Sequence, residues 1–443
     1  MSAAAELDEK AQIRRAYDRL TFGAAPGQLA GAQAGSAGAA IGKLLVPTGS
    51  DAAAAAIPAP KFDDIPKVGK DRTAASRKAK SAAVRQNRQV LQSWWLHTVV
   101  AADHQIVERL TWFWQGHFAT SIQKVKSGQL MWQQNSTQRR LCRGSFTDLA
   151  KAMVVDPAML IWLDGNNNTV KAPNENLSRE FMELFSLGHG HYTETDVRQA
   201  ARALTGWVVD RSTGRAKLVA KRQDTAVKTI LGKTANFDAS GFVDQVLAQP
   251  ASAPFVIGRL WFRLVSTTPP DAATMTKLLA AYGPSRDIAA TVKAMTASPA
   301  FSAADSSLVK EPVEWLVGLL RAVGAKPADY PAKAQKALVN GLRGMGQVPF
   351  TPPSVGGWPA GRAWLTTATA ISRTHLARTI AQQSKSVAAS TGTSSAARID
   401  GLRRLLGVDA WTSRTVTALQ KVADDPVGAL TIAACSPEYV VSR

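Results

Sequence analysis

Two apolar stripes at helical spacing, one directly after the other, restrict this chain more than any other feature. Val90, Leu91, Trp94, Trp95 and Val99 line one side of a long helical stretch that begins near Ala74. After a break at Asp103, the residues Ile106, Leu110, Phe113 and His117 recur at i, i+4, i+7 and i+11, flanked by Val107 and Trp114. A period near 3.6 with bulky aromatics on one face belongs to core helices packed on one another, not to strands. It also puts His117 on the apolar side, near the end of its helix.

The same rhythm marks helices over 5–22, 129–140, 145–155, 240–250, 252–266, 271–282, 285–297, 309–323, 333–344, 364–383, 398–407 and 412–434. It fails at Trp207-Val208-Val209 and Lys217-Leu218-Val219, which flank Ser212-Thr213-Gly214 as a small β-hairpin. The predicted fold class is therefore mainly α, a multi-helix, bundle-like globular protein with one small β-hairpin near 207–220. The 443 residues form one unit or two lobes, 1–206 and 240–443, joined by the basic segment 207–239. The Ser/Thr/Ala tract 384–397 reads as a flexible insertion, and 50–72 as a loop. No run approaches the ~18 apolar residues that span a bilayer. The opening residues carry Glu6, Asp8 and Glu9 and no apolar signal core.

Charge narrows the partners. Lys and Arg number 53 against 33 Asp and Glu, a net charge of +20. The excess gathers at 61–88 and 211–233, each with a net of +6. Such clusters attract nucleic acid, anionic lipid or acidic polymers, or simply keep a surface solvated. No nucleic-acid-binding motif accompanies them, so sequence-specific nucleic acid is not expected. Cys142 and Cys435 cannot build a disulfide scaffold or a four-cysteine zinc site. The chain also lacks a G-x-S-x-G elbow, a Walker loop, H-E-x-x-H and a dinucleotide fingerprint.

The densest polar segment runs from Asn174 to Phe185. Glu175, Arg179 and Glu183 are successive i, i+4 neighbours, Asn176 and Glu180 form a second such pair, and Leu177, Phe181, Leu184 and Phe185 make the apolar face. Burying part of this helix leaves too few cations for its carboxylates. Two readings stay open. One is an Arg-centred ion-pair network that fixes helix packing. The other is a site in which Glu180 and Glu183, at i, i+3, act with His117 as metal ligands or as acid and base, with Arg179 as a charge clamp. Asn174, Glu175, Asn176, Tyr192, Arg202 and Trp358 are candidate binding residues around it. Beyond Gly188, a C-terminal cap by position, lie His189 and His191, and Thr193 with Asp196 has the spacing of a capping box. Asp164-Gly165-Asn166-Asn167-Asn168 reads as an Asn-rich turn, because the downstream glutamate of a calcium loop is missing.

The string PNENLSREFMELFSLGHGHYTETDVRQAARALTGW resembles the bacterial family catalogued as domain of unknown function 1800. So do RLTFGA from Arg19, WFWQGHFATS from Trp112, Asp156-Pro157-Ala158-Met159, KEPVE from Lys310, GQVPFTPPSVGGWP from Gly346, and CSPEY from Cys435. The resemblance implies a large, mostly helical bacterial protein. It also implies a partner with a sulfatase- or alkaline-phosphatase-like fold that carries a twin-arginine signal, so the chain would be cytoplasmic or exported folded with that partner. The family pattern has histidines where Gln115 and Gln223 stand, and glutamine is a poor ligand for transition metals. A divalent metal is thereby a weakened candidate cofactor. The loop from Gln347 to Pro359 is stiff by composition and either caps the core or lines a groove. Two functions follow as expectations. One is an envelope protein with a carboxylate/His/Arg pocket for acid–base or metal-assisted hydrolysis of an anionic or sugar polymer. The other is a non-catalytic binding or escort protein whose Glu–Arg network is structural.

Overall fold

The computed structural model describes residues 6–66, 73–211, 213–384 and 394–442. Helices dominate and the only sheets among these residues are three two-stranded pairs, so the fold is mainly α. The elements that matter below are α1 (Glu9–Leu20), α2 (Ala74–Ala101), α3 (Gln105–His117), α4 (Gly128–Leu141) and α5 (Phe146–Val154). They are followed by α6 (Pro157–Trp162), α7 (Asn176–Glu180), which continues as a π-helix over Phe181–Ser186, and α8 (Glu194–Ala203). Next come β1 (Trp207–Asp210) with β2 (Arg215–Leu218), β3 (Lys228–Ile230) with β4 (Lys233–Ala235), and α9 (Ser252–Leu264). Toward the C-terminus lie β5 (Leu308–Val309), α10 (Pro312–Ala322), α11 (Thr367–Gln383), α12 (Pro426–Cys435) and β6 (Val441–Ser442).

The two stripes are where the spacing puts them. Leu91, Trp95 and Val99 are fully buried, Val90 and Trp94 are half-buried, and Ile106, Leu110, Phe113 and His117 all face the core. Asp156 caps α6 with Pro157 at its first position, where a missing N–H costs nothing. The hairpin forms at β1–β2 with Trp207 opposite Leu218.

Four expectations are corrected. A second hairpin, β3–β4, lies in the segment read as a linker, and β5 pairs with β6 across the chain. The helix expected over 412–434 ends at Gln420 and resumes at Pro426, which starts a new helix capped by Asp425. Of the insertion expected at 384–397, residues 385–393 fall outside the described residues, while Ser394 caps a helix at Ser395–Leu405. Within the loop read at 50–72, Asp51 caps a single turn at Ala52–Ala55.

One apolar cluster contains residues from Ala16 to Val440 and includes both sides of 207–239. Buried arginines lock its two ends together. Arg15 donates to the carbonyls of Phe301 and Ala303 at 2.7 Å, and Arg19 to that of Val265 at 2.7 Å. Both cysteines are free. Among the described residues no helix is long and apolar enough to cross a membrane.

Candidate functional site

Three stretches far apart in sequence meet around His117: the end of α3, the π-turn after α7, and the loop before Pro359. Gly357 lies at φ +84°, and a Cβ there would stand 2.4 Å from the carbonyl oxygen of Gly116. Only glycine lets this loop press backbone to backbone against the turn that carries His117. On the other side, Gly188 at φ +85° ends the π-turn against the Phe255 ring of α9, 3.0 Å from where a Cβ would sit.

His117 is buried in a cage of Phe113, Trp114, Phe118, Phe146 and Phe185 rings, with centroids 4.8 to 6.1 Å away. Its Nε2 lies 2.9 Å from the Phe185 carbonyl oxygen. A carbonyl only accepts, so Nε2 carries the proton and Nδ1 presents a bare lone pair. Burial, reinforced by the Arg259 cation, pulls the imidazole pKa down to about 3, against the opposing bond to Phe185, and the ring is neutral near pH 7. Nδ1 itself is buried without a hydrogen-bond partner among the described residues.

His117 and Arg259 line two adjoining spaces. The inner gap, about 20 Å³, is also bounded by Arg109, Gly116, Arg263, Glu311 and Trp358. The indole Nε1 of Trp358 is likewise buried without a partner. The gap is therefore bounded by one residue with an unused acceptor and one with an unused donor. The outer cavity, about 240 Å³, is bounded by Glu183, Leu184, Gly188, His189, Phe255 and Gly356 as well. Arg259, half-buried on α9, makes no hydrogen bond or ion pair among the described residues. Burial lowers its pKa, and no carboxylate opposes that shift.

One helical turn away, Arg263 has the opposite circumstances. It is ion-paired with Glu311 and donates to the Trp358 carbonyl at 3.1 Å. Glu311 also accepts from Gln347 at 2.6 Å and from Trp112 at 3.4 Å, while Arg109 is ion-paired with Glu314. The two glutamates of KEPVE close a capping box at the start of α10. Trp358 is buried and stacks on Trp112 with centroids 4.9 Å apart. With Val348 and Phe350 also buried, its loop caps the core.

The acidic helix divides at Phe181. Over α7, Arg179 pairs with Glu175 at 3.2 Å and with Glu194 at 2.5 Å, all near solvent. Past Phe181 the hydrogen bonding shifts to i→i+5, with the Leu187 N–H donating to the Met182 carbonyl at 2.8 Å. Ser186 donates its hydroxyl to the Phe181 carbonyl at 2.5 Å. The wider turn carries Glu183 round the axis. It accepts from the Tyr192 hydroxyl and lies 3.8 Å from His189, instead of continuing the stripe to Arg179. Burial and then Glu183 push the Tyr192 phenol up, so it stays a donor. Glu180 is half-buried; burial and then Glu183 raise its pKa, with Arg179 opposing, and it does not line either space.

Of the residues singled out from sequence, His117, Glu183 and Trp358 border the two spaces, with Tyr192 behind Glu183. Arg179 and Glu175 form a surface network instead. Arg202, a candidate binding residue from sequence, pairs instead with Asp224 at 2.7 Å. Asn174 receives its place from Asn168, whose side-chain Oδ1 accepts the Asn174 N–H at 2.9 Å, and Asn176 donates its N–H to the Asn174 side chain at 3.0 Å. Asn174 thus precedes α7 and Asn176 opens it. Among the described residues no three His, Cys, Asp or Glu side chains converge to hold a metal, so Glu180, Glu183 and His117 do not make a three-ligand set. Gln115 accepts from Asn135 at 3.4 Å and Gln223 packs on Gly206, and neither borders the spaces beside His117.

Sequence reasoning missed Arg259. The signal was available: FVIGRLWFRL holds two arginines one turn apart with no acidic residue in the helix. No curated protein and no solved structure matches the chain. The family described as "Protein of unknown function (DUF1800)" matches residues 15–441, nearly the whole length, and the chain belongs to that family.

Proposed function

We propose that the His117–Arg259 cavity binds the end of an anionic, hydroxyl-bearing molecule, such as a sugar acid or sugar phosphate. The carrying observation is the coincidence of an unused acceptor, an unused donor and an unpaired cation around one opening. A hydroxyl both donates and accepts, so one such group suits His117 Nδ1 and Trp358 Nε1. A carboxylate or phosphate suits the Arg259 guanidinium. An outer volume of about 240 Å³ is small beside ordinary ligand pockets and fits a terminal unit.

In this reading His117 is an acceptor that positions the hydroxyl, since a base with a pKa near 3 abstracts protons poorly. Glu183, which accepts from the Tyr192 hydroxyl and lies beside His189, is the proton acceptor for an attacking water. Hydrolysis of an anionic sugar polymer in the cell envelope, beside a phosphatase-like partner, is the finer form of the proposal. The escort reading draws on the Glu175–Arg179–Glu194 network, whose one cation is already taken by two carboxylates and is not left for an anionic ligand.

Calorimetric titration with glucuronate and with glucose 1-phosphate tests the site. Arg259→Gln and His117→Gln should each weaken binding at least tenfold. Glu183→Gln should keep binding while abolishing turnover of 4-nitrophenyl glucuronide or 4-nitrophenyl phosphate. Binding without turnover in the unaltered protein supports the escort reading, and no binding of either probe ends both.

A further inference from the structure

The first half of α2 stands apart from the cavity and uses different residues. Between Thr73 and Ala102 the sequence has no Asp or Glu, yet it has Arg77, Lys78, Lys80, Arg85 and Arg88. At 100° per residue these five fall within an arc of about 160°, along about 17 Å of helix. Arg77, Lys78 and Arg85 are exposed, and Lys80 and Arg88 are half-buried. None makes a hydrogen bond or ion pair with another described residue, and the Arg88 Nε is buried without a partner.

This arrangement works against the helix that carries it. Cations in the opening turns oppose the helix dipole, and the first turn has no acid to offset them. Like charges three residues apart, Arg77 with Lys80 and Arg85 with Arg88, repel. Helix capping by Thr73 and packing of the second half against the core must hold the charges together. An anionic partner would relieve both costs at once.

The face is also selective by what it lacks. From Thr73 to Gln89 there is no aromatic residue on which a base could stack. The opposite face is Ala75, Ala79, Ala82 and Gln86, too small and polar to enter a bilayer. We propose that the N-terminal half of α2 is a docking arm for a flexible linear polyphosphate-like chain, held through Arg77, Lys78, Lys80, Arg85 and Arg88.

The test uses the full chain and long-chain inorganic polyphosphate, with affinity followed from 50 to 200 mM salt. Five contacts give a log–log salt slope of about −3.5, a loss of about 100-fold over that range. Replacing all five cations with Gln should weaken binding at least tenfold and flatten the slope, with melting at or above that of the parent. The control replaces five exposed lysines elsewhere, Lys277, Lys293, Lys326, Lys333 and Lys336, and should leave affinity within threefold. If the five-site arm variant does not fold, R77Q/K78Q should flatten the slope by about 1.4. Equal losses in arm and control variants would overturn the proposal by reducing it to net charge. So would no binding at 50 mM salt, or tighter binding to oligo-dT or to anionic lipid vesicles than to polyphosphate.

Discussion

Arg263 and Arg259 sit one turn apart on α9 and belong to two different kinds of place. Around Arg263 every buried charge is matched: Glu311 to Arg263, Glu314 to Arg109, with Gln347 and Trp112 filling the remaining carboxylate lone pairs. Arg259 has no hydrogen bond or ion pair among the described residues, and the adjoining imidazole Nδ1 and indole Nε1 also keep open valences. A buried ion pair gains little over an apolar filling, but half of one is costly. The first region is consistent with holding the fold. The second carries a cost that packing alone does not require and that a bound anion would offset.

The largest expected effect tests the matched region. Glu311→Gln leaves the half-buried Arg263 cation facing an amide and takes the buried carboxylate from Gln347 and Trp112. Loss of stability of about 3–5 kcal/mol is expected, read from the urea midpoint. A change under about 1 kcal/mol would mean that water already reaches this pair, and the contrast between the regions would collapse.

A third buried charge sharpens the contrast because it is neither ion-paired nor free. Asp156 accepts from Gln134 at 2.7 Å and from the Met159 N–H at 2.9 Å, both neutral donors. Burial outweighs those bonds and pushes its pKa up to about 7. A raised carboxyl pKa means that the folded state holds its proton more tightly than the unfolded state. Its contribution is full below about 3.8 and is lost as pH rises to about 7. Asp156→Asn keeps the capping acceptor and removes the titration. The variant should match the parent at pH 4 and exceed it at pH 8 by up to about 4 kcal/mol, read by denaturant titration at both values. A parent that is the more stable at pH 8 would show that Asp156 has a cation nearby.

Features set by helical spacing along one segment were legible in sequence, and those set by the meeting of distant segments were not. The stripe 106–117 placed His117 inside, the Thr193 capping box formed with Asp196, and Glu175 met Arg179, because each depends on neighbours within about one turn. The π-turn escaped because it arises where the buried Ser186 hydroxyl takes the Phe181 carbonyl, a choice made by tertiary burial and not by helical propensity. It then moved Glu183 out of the stripe that the i, i+4 rule predicted. The β3–β4 hairpin turns through Leu231 and Gly232, both at positive φ, and leucine gives no turn signal there. Its place is fixed from outside the hairpin, by Asp196 accepting the Leu231 N–H at 2.7 Å. The cavity needed Gly116, Gly188 and Gly356 to be neighbours, and no local pattern encodes meetings of chain segments this far apart.

The smallest expected change in stability bears most directly on the contrast. Arg259→Gln removes a half-buried cation that has no carboxylate, so the folded state loses no attraction and sheds some desolvation. Its urea midpoint should move by no more than about 1 kcal/mol equivalent in either direction. Arg263→Gln, the same chemical change one turn along the same helix, strands Glu311 and should cost about 3–5 kcal/mol. The two variants share helix propensity and side-chain length, so the difference between them isolates pairing. If Arg259→Gln proves as damaging as Arg263→Gln, Arg259 is part of the scaffold, and the open valences of His117 and Trp358 would have to be read as packing defects instead of as the walls of a site.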